Sequence, residues 1–361
     1  MPRVLCLVPY PTAGASNRLR VEQYGDRLHA AGIELVISPF FDDATYRVLY
    51  LPGHTVAKIM GVLRGTARRI RDVVRARRFS LILIHRESAP FGPPLVERAL
   101  SLLGVRYIFD FDDAVFLPAI HPSNRRWARL RRVNVDETTR RAAAVIAGNE
   151  YLADWARPLN PRLTIIPTPV DTDRHVPALI QSRAGPVVLG WIGSSSTAPY
   201  LHLLDRVLAD LASRHHFILR VIGGGYVNPA IHVDLRTFDL EREPADVAAF
   251  DIGLLPEPDD AWTRGKGAFK GLLYMAAGVP VVASKVGVNP EVVTDAETGY
   301  CAADEGEWIT ALERLVSDPG LRSRLGEAGR RRVVERYSLN VQAPRFAAAI
   351  HSALDGTTGG V

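Results

Sequence analysis

The segment Arg264-Gly265-Lys266-Gly267-Ala268-Phe269-Lys270 sets three cations and two glycines ahead of an apolar stretch that runs to Gly278 and gives way to Val281-Val282-Ala283. An apolar stretch of that length closed by glycine reads as a helix, and the run after it as a strand. A helix start offers unpaired N–H groups and the positive end of the dipole, and Gly265 and Gly267 let backbone come close to a ligand. Three cations there suit a diphosphate. The same dipole disfavours cations that are merely solvated, which weakens that alternative. If the helix starts early, Lys266 and Lys270 share one face.

A second group is Asp110-Phe111-Asp112-Asp113. It has the Asp-x-Asp form of a metal motif, but Asp110 falls inside an apolar strand, with Asp112 and Asp113 at its C-terminal end, where α/β folds bind ligands. Acidic caps on the following loop are the competing reading. Gly265-Lys266 is followed by glycine rather than Ser or Thr, which excludes a triphosphate loop, and Gly223-Gly224-Gly225 lacks a dinucleotide fingerprint and reads equally well as a tight turn. His85, His121 and the pair His215-His216 fit no metal spacing and read as structural. No hydrolase-type serine or carboxylate pair stands out.

These groups need a scaffold, and 361 residues suffice for two domains with real cores. Strands are expected at Arg3–Val8, Glu34–Ser38, Leu81–His85, Tyr107–Phe111, Val145–Ala147 and Leu163–Ile166. A second series is expected at Val187–Ile192, Ile218–Ile222, Ile252–Leu255 and Val281–Ala283. Helical stretches alternate with them, which predicts two consecutive doubly wound α/β units with parallel sheets. The aperiodic, proline-bearing stretch from Val170 to Gly185 is the expected linker. It bounds an N-terminal domain over 1–172 and a C-terminal domain over 185–337. Glycine and threonine dominate the tail 356–360, which is expected to be disordered.

No apolar run approaches the ~20 residues that span a bilayer, and the start reads as a strand rather than a signal peptide. With only Cys6 and Cys301, a disulfide framework is excluded and a cytoplasmic protein is expected. The net charge of +5 is uneven: residues 1–171 hold 25 Lys+Arg against 16 Asp+Glu, leaving 19 against 23 for the rest. Within the basic half, 57–78 carries Ile59, Val62, Leu63, Ile70, Val73 and Val74 at helical spacing among eight cations and one acid, Asp72. Such a helix either lies peripherally on an anionic membrane or is an ordinary surface helix whose other face is solvated.

Residues 264–282 resemble the C-terminal signature of GT-B retaining glycosyltransferases, family 4 (group 1), in which a lysine precedes an apolar helix and Gly-x-Pro-Val-Val. VASKVGVNPEVV (282–293), Glu297-Thr298-Gly299-Tyr300 and SDPGLRSRLGEAGRRRVVERYSL (317–339) fit as well. So do PTAGASNRLR (11–20), FDFDDAVF (109–116), AGNEYLADWA (147–156) and GWIGSSST (190–197). The resemblance implies two Rossmann-like domains facing a central cleft, with helix 338–354 crossing back to the first. It places a nucleotide-diphosphate sugar mainly on the C-terminal domain and an acceptor hydroxyl on the N-terminal one.

By that resemblance Arg264, Lys266 and Lys270 hold the phosphates. Gly14, Ala15 and Ser16 close over them, and Arg18 and Arg20 extend the anion surface unless they pair with Glu22. Asn289 and Glu291 belong to the donor site, and Asp112 and Asp113, with Lys270, are the catalytic candidates, near where many relatives use a histidine. No metal or other cofactor is implied. Two glutamates common in the family are replaced by Gly265 and Leu273, and the usual Arg and Lys after the first strand of the second domain by Gly193-Ser194-Ser195-Ser196-Thr197. Gly193, Ser194 and Ser195 then take phosphate through backbone N–H groups and hydroxyls, and Asp259 or Asp260 stands in for the first glutamate. The expected function is sugar transfer with retention, in polysaccharide, glycolipid or glycoside synthesis. The alternatives are a sugar-nucleotide epimerase and a non-catalytic nucleotide-sugar binder, the latter favoured by Leu273.

Overall fold

A computed structural model describes residues 1–90, 92–117, 135–178 and 185–356. His121 and the tail beyond Gly356 lie outside them. The chain divides into two compact units, Met1–Pro169 with Leu339–Val361, and Val170–Ser338.

The first unit is built on strands β1 (Arg3–Val8), β2 (Glu34–Pro39), β3 (Leu81–His85), β4 (Tyr107–Phe111), β5 (Ala144–Ala147) and β6 (Leu163–Ile165). They form one parallel sheet in the order β2-β1-β3-β4-β5-β6. β3 and β4 are buried along their whole length, as expected for strands covered on both faces. Helices α1 (Ala15–Arg20), α2 (Gly25–Ala30), α3 (Asp43–Leu49), α4 (Thr55–Arg75) and α5 (Leu95–Leu102) follow the early strands. The last helix, Leu339–Asp355, closes the core of this unit, with Phe346 stacked on Tyr24 at 4.5 Å. Cys6 is buried in β1, and burial pushes its thiol up.

The second unit holds β7 (Val187–Ile192), β8 (Phe217–Ile222), β9 (Val233–Arg236), β10 (Ile252–Leu255), β11 (Val281–Ser284) and β12 (Gly299–Ala302), again all parallel, in the order β12-β11-β10-β7-β8-β9. The expected strands are all present. β9 and β12 were not expected, and they are the two edges of this sheet. β9 is a partly exposed Val-Asp-Leu-Arg, and the apolar run of β12 is only Tyr-Cys-Ala after its opening glycine.

The stretch expected as a linker belongs to the second unit from Val170 on. Val170 N–H donates to Tyr337 O at 2.9 Å. Arg330 donates to the carbonyls of Thr172, at 2.8 Å, and His175. An arginine far along the chain supplies this anchoring, which local periodicity does not reveal.

Parallel sheets bind ligands beyond the C-terminal strand ends, where the strand order reverses. In the first unit that point lies between β1 and β3, and in the second between β7 and β10.

Candidate functional site

At the first reversal a buried polar chain links four elements. Arg20, the last residue of α1, is fully buried and donates to both carboxylate oxygens of Asp110 at 2.8–3.1 Å. Its Nη1 donates to Ile166 O at 2.7 Å and Thr168 Oγ1 at 3.3 Å. Burial works against charge on Asp110, but Arg20 and the hydrogen bond from His85 outweigh it and hold the carboxyl below its usual range. Burial likewise opposes charge on Arg20, and Asp110 overrides it, so that guanidinium stays charged.

His85 ends β3, and its Nδ1 lies 2.8 Å from Asp110 Oδ2. An ionised carboxylate only accepts, so Nδ1 carries a proton, and Nε2 lies 2.8 Å from Ser16 Oγ. Only Ser16, at the end of the chain, is part-exposed; His85, Asp110 and Arg20 are sealed.

Arg20 therefore does not extend an anion surface, and its partner is Asp110 rather than Glu22. The Glu22 carboxylate instead accepts from Thr12 Oγ1 and Asn17 Nδ2. Gly14 is required by its neighbour, since a Cβ there would lie 2.7 Å from Tyr10 Cβ. Ala15 is exposed, and Arg18 reaches Thr12 O at 3.0 Å.

Arg86, next to His85, was not singled out in the sequence. It adopts φ +62, a left-handed conformation rare for a long side chain and a common mark of functional positions. Its Nη1 pairs with Asp113 Oδ2 at 2.8 Å and reaches Ser16 Oγ at 3.4 Å. Asp112 accepts from Thr168 at 3.2 Å through Oδ2, while its buried Oδ1 has no hydrogen-bond partner among the described residues. Ser16, Arg86, Asp112 and Asp113 thus form one polar cluster over the sealed chain. Asp110 takes no part in an Asp-x-Asp pair, because Arg20 and His85 occupy its carboxylate.

At the second reversal the loop after β7 turns sharply. Ser194 O accepts from Thr197 N and Ala198 N, and Ser194 and Ser195 are exposed. A Cβ on Gly193 would lie 2.5 Å from the Trp191 ring and 2.8 Å from Lys270 Cε, so only glycine fits beneath the lysine. Gly223, at φ +80, packs on Gly193 O, where a Cβ would come within 2.3 Å. The triple glycine is therefore a tight turn against the serine loop.

The three cations do not share one helix start. Arg264 ends a four-residue helix, Ala261–Arg264, whose N-cap is Asp260, which accepts from Thr263 N at 2.7 Å. The next helix begins only at Phe269, after Ala268 at φ +52. Lys266 lies between the two, so it shares no helix face with Lys270. Arg264 is half-exposed and forms a bidentate pair with Asp259 at 2.8 and 3.1 Å.

Lys270 nonetheless packs against Gly193 at the start of the loop after β7, and Lys266 over Tyr200 just beyond that loop. Lys266 Nζ lies 4.7 Å over the Tyr200 ring and Lys270 Nζ 5.7 Å from that of Trp191. Gly267 adjoins open space.

Neither Asp259 nor Asp260 stands in for the first family glutamate, since each is committed to Arg264 or to capping. The buried carboxylate of this region is Glu257, just past β10, 3.8 Å from Lys266 Nζ. Asn289 is 1% exposed and its amide is spent on Glu257 Oε2 at 3.1 Å and Ser284 O at 2.9 Å, so it props Glu257 rather than facing a ligand. Glu291 is exposed on the helix Asn289–Val292, and Leu273 lies in the apolar core. Nothing in the sequence marked Glu257, which sits between two prolines in a loop.

Residues 273–332 match the family model of glycosyl transferases group 1. Over 157 residues the chain is 30% identical to a GDP-mannose-dependent alpha-(1-6)-phosphatidylinositol monomannoside mannosyltransferase of Mycolicibacterium smegmatis, covering 41% of this chain and 36% of that protein. Over 225 residues it is 41% identical to an MMP alpha-(1->4)-mannosyltransferase of Mycolicibacterium hassiacum, covering 58% and 52%. The chain thus spans about half or less of the length of these curated relatives.

Among solved structures it is similar to sucrose-phosphate synthase from Thermosynechococcus elongatus, with a TM-score of 0.70 and 16% identity over 99% of this chain and 100% of that one. It is also similar to Anabaena Alr3699/HepE, solved with UDP-glucose, at 0.68 and 16% over 98% and 100%. The fold of this chain is the GT-B fold of two parallel α/β units, and the group 1 match falls in the unit that carries Lys266 and Lys270.

Proposed function

We propose that the protein is a glycosyltransferase of the family 4 type, moving a sugar from a nucleotide-diphosphate donor to an acceptor hydroxyl with retention of configuration. The observation that carries this reading is the placement of Lys270 against Gly193 and of Lys266 over Tyr200, residues that bracket the exposed Ser194 and Ser195 in the chain, at the strand-order reversal and in the unit with the group 1 match. Two lysines, exposed hydroxyls and glycine backbone at that point suit two phosphates.

In the transfer, the bond from the acceptor oxygen to the anomeric carbon forms as the bond from that carbon to phosphate breaks. The electron pair goes to the leaving diphosphate, which also takes the acceptor proton. Fixed positive charge on Lys270 and Lys266 then stabilises charge that grows only as the reaction proceeds, which is where catalysis gains most. Ser16, Arg86 and Asp113 supply polar groups of the first unit to the acceptor hydroxyls, with Asp112 beside them. Metal is not required in this reading, because Asp110 is already committed to Arg20 and His85.

A relative named for GDP-mannose and a structure solved with UDP-glucose make those two donors the first to try. A thermal-shift screen of nucleotide sugars, followed by product detection with the best binder, tests the proposal. Stabilisation by one donor and release of its nucleoside diphosphate with an acceptor are expected. Absence of binding by any nucleotide sugar would overturn it.

A further inference from the structure

The apolar residues of α4 are not the ones that pack. This 21-residue helix turns Gly61, Gly65, Arg69 and Asp72 inward. The glycines allow the close approach: a Cβ on Gly61 would lie 2.2 Å from Thr45, and one on Gly65 2.5 Å from the Phe40 ring. Arg69 pairs with Asp72 at 3.1 Å and donates to the carbonyls of Val8, Ser38 and Ser88. The large apolar side chains Val56, Ile59, Met60, Leu63, Ile70 and Val74 are left exposed, Val74 to 77% and Ile70 to 62%.

At 3.6 residues per turn these six fall within an arc of roughly 100°. Arg71, Arg64, Arg75 and Arg68 follow over roughly the next 60°, between the stripe and the packed side. Arg64 pairs with Asp42 at 3.3 Å and Arg68 donates to the carbonyls of Pro39 and Phe40, while Arg71 and Arg75 stay exposed. The opposite edge of the stripe runs into a mostly apolar cavity of about 390 Å³ between α4 and α5, lined by Phe40, Val73 and Val96 with the exposed Leu95 at its margin. An ordinary surface helix of an α/β domain buries its apolar face and wets the other; α4 does the reverse.

We propose that the outer face of α4 docks in the plane of an anionic lipid bilayer. The apolar stripe enters the boundary between headgroups and acyl chains, and the arginine row beside it meets lipid phosphates. Charge complementarity selects this occupant: the exposed Arg64, Arg71 and Arg75 lie beside the stripe, and α4 carries six cations against one acid. Among the described residues no helix is long and apolar enough to cross a membrane, so the contact lies on the surface. Docking here would hold the first unit beside lipid-borne acceptors.

The test is co-sedimentation of the full chain with vesicles of equimolar phosphatidylglycerol and phosphatidylcholine, or of phosphatidylcholine alone. The protein should pellet with the anionic vesicles and stay in the supernatant with the neutral ones, and salt should weaken the binding. Ile70→Asp with Val74→Asp, and separately Arg71→Glu with Arg75→Glu, should each reduce partitioning by about tenfold or more. All four side chains are exposed, so both variants should keep the native circular dichroism spectrum and nucleotide binding. Equal recovery with neutral vesicles, failure of the wild type to bind anionic ones, or undiminished binding by either variant would overturn the proposal. So would a wild-type dimer that Ile70→Asp with Val74→Asp dissociates, because the stripe would then be a self-interface. Failure of sugar transfer would leave this vesicle result unaffected.

Discussion

The two units put polar residues at the same place, the reversal in strand order, and treat them differently. In the first unit the charges are sealed. Arg20 and Asp110 are both fully buried and satisfy one another, with His85 as the bridge to Ser16. In the second, the cations are partly exposed, and Lys266 faces the buried Glu257 at 3.8 Å. Lys266 and Lys270 lie over aromatic rings, and Arg264 is half-exposed on Asp259. A buried ion pair is costly to break and fixes geometry, whereas a lysine over a ring can turn to an incoming anion at little cost. The first unit thus holds its polar groups rigidly, and in the proposed reading the second presents its lysines to phosphate.

The comparison breaks most visibly at Arg20. Arg20→Met should leave Asp110 buried without its partner and destabilise the fold by about 3–5 kcal/mol in denaturant unfolding. If unfolding is hardly changed, the sealed chain is not what holds the first unit together.

Acid gives the next largest effect. Asp110 is held below the ~3.9 of an unfolded aspartate, so its contribution is fully present above that value and is lost as pH falls toward the depressed folded value. Unfolding free energy should therefore drop below about pH 4, and Asp110→Asn should flatten that part of the profile. An unchanged slope in Asp110→Asn would assign the acid sensitivity to other carboxylates.

In the second unit, Gly193→Ala should push Trp191 and Lys270 apart, costing about 1–3 kcal/mol of stability and weakening donor binding measured by titration calorimetry. Normal donor affinity in this variant would separate the lysine from the donor site. Arg264→Ala should have the smallest effect, with the melting temperature essentially unchanged and only a modest rise in donor KM, since the ion pair it removes is exposed.

How far the sequence discloses these arrangements depends on the range of the interactions. Buried parallel strands are continuous apolar runs, and ten were readable on that basis; β9 and β12 escaped because edge strands need no such run. Lys270 and the serine loop were readable because backbone geometry near a helix start is local. The sealed chain was not, since Arg20 meets Asp110 across 90 positions and Ser16 meets His85 across 69. In α4 the period was readable but not which way the stripe faces, because two glycines and a buried Arg–Asp pair, invisible to periodicity, turn it outward. Glu257 had no pattern around it and became visible only through Lys266 and Asn289.

The central claim is that Lys270 stabilises a leaving diphosphate, and steady-state kinetics of Lys270→Ala with the best nucleotide-sugar donor test it most directly. A charge-assisted hydrogen bond is worth about 1.5–3 kcal/mol, or roughly 10- to 150-fold in rate. Because charge on the phosphate grows in the transition state, kcat should fall by more than the donor KM rises, with little change in the melting temperature of the ligand-free protein. A Lys270→Ala protein that turns over normally, or that unfolds without ligand, would show that this lysine is structural and that the diphosphate lies elsewhere.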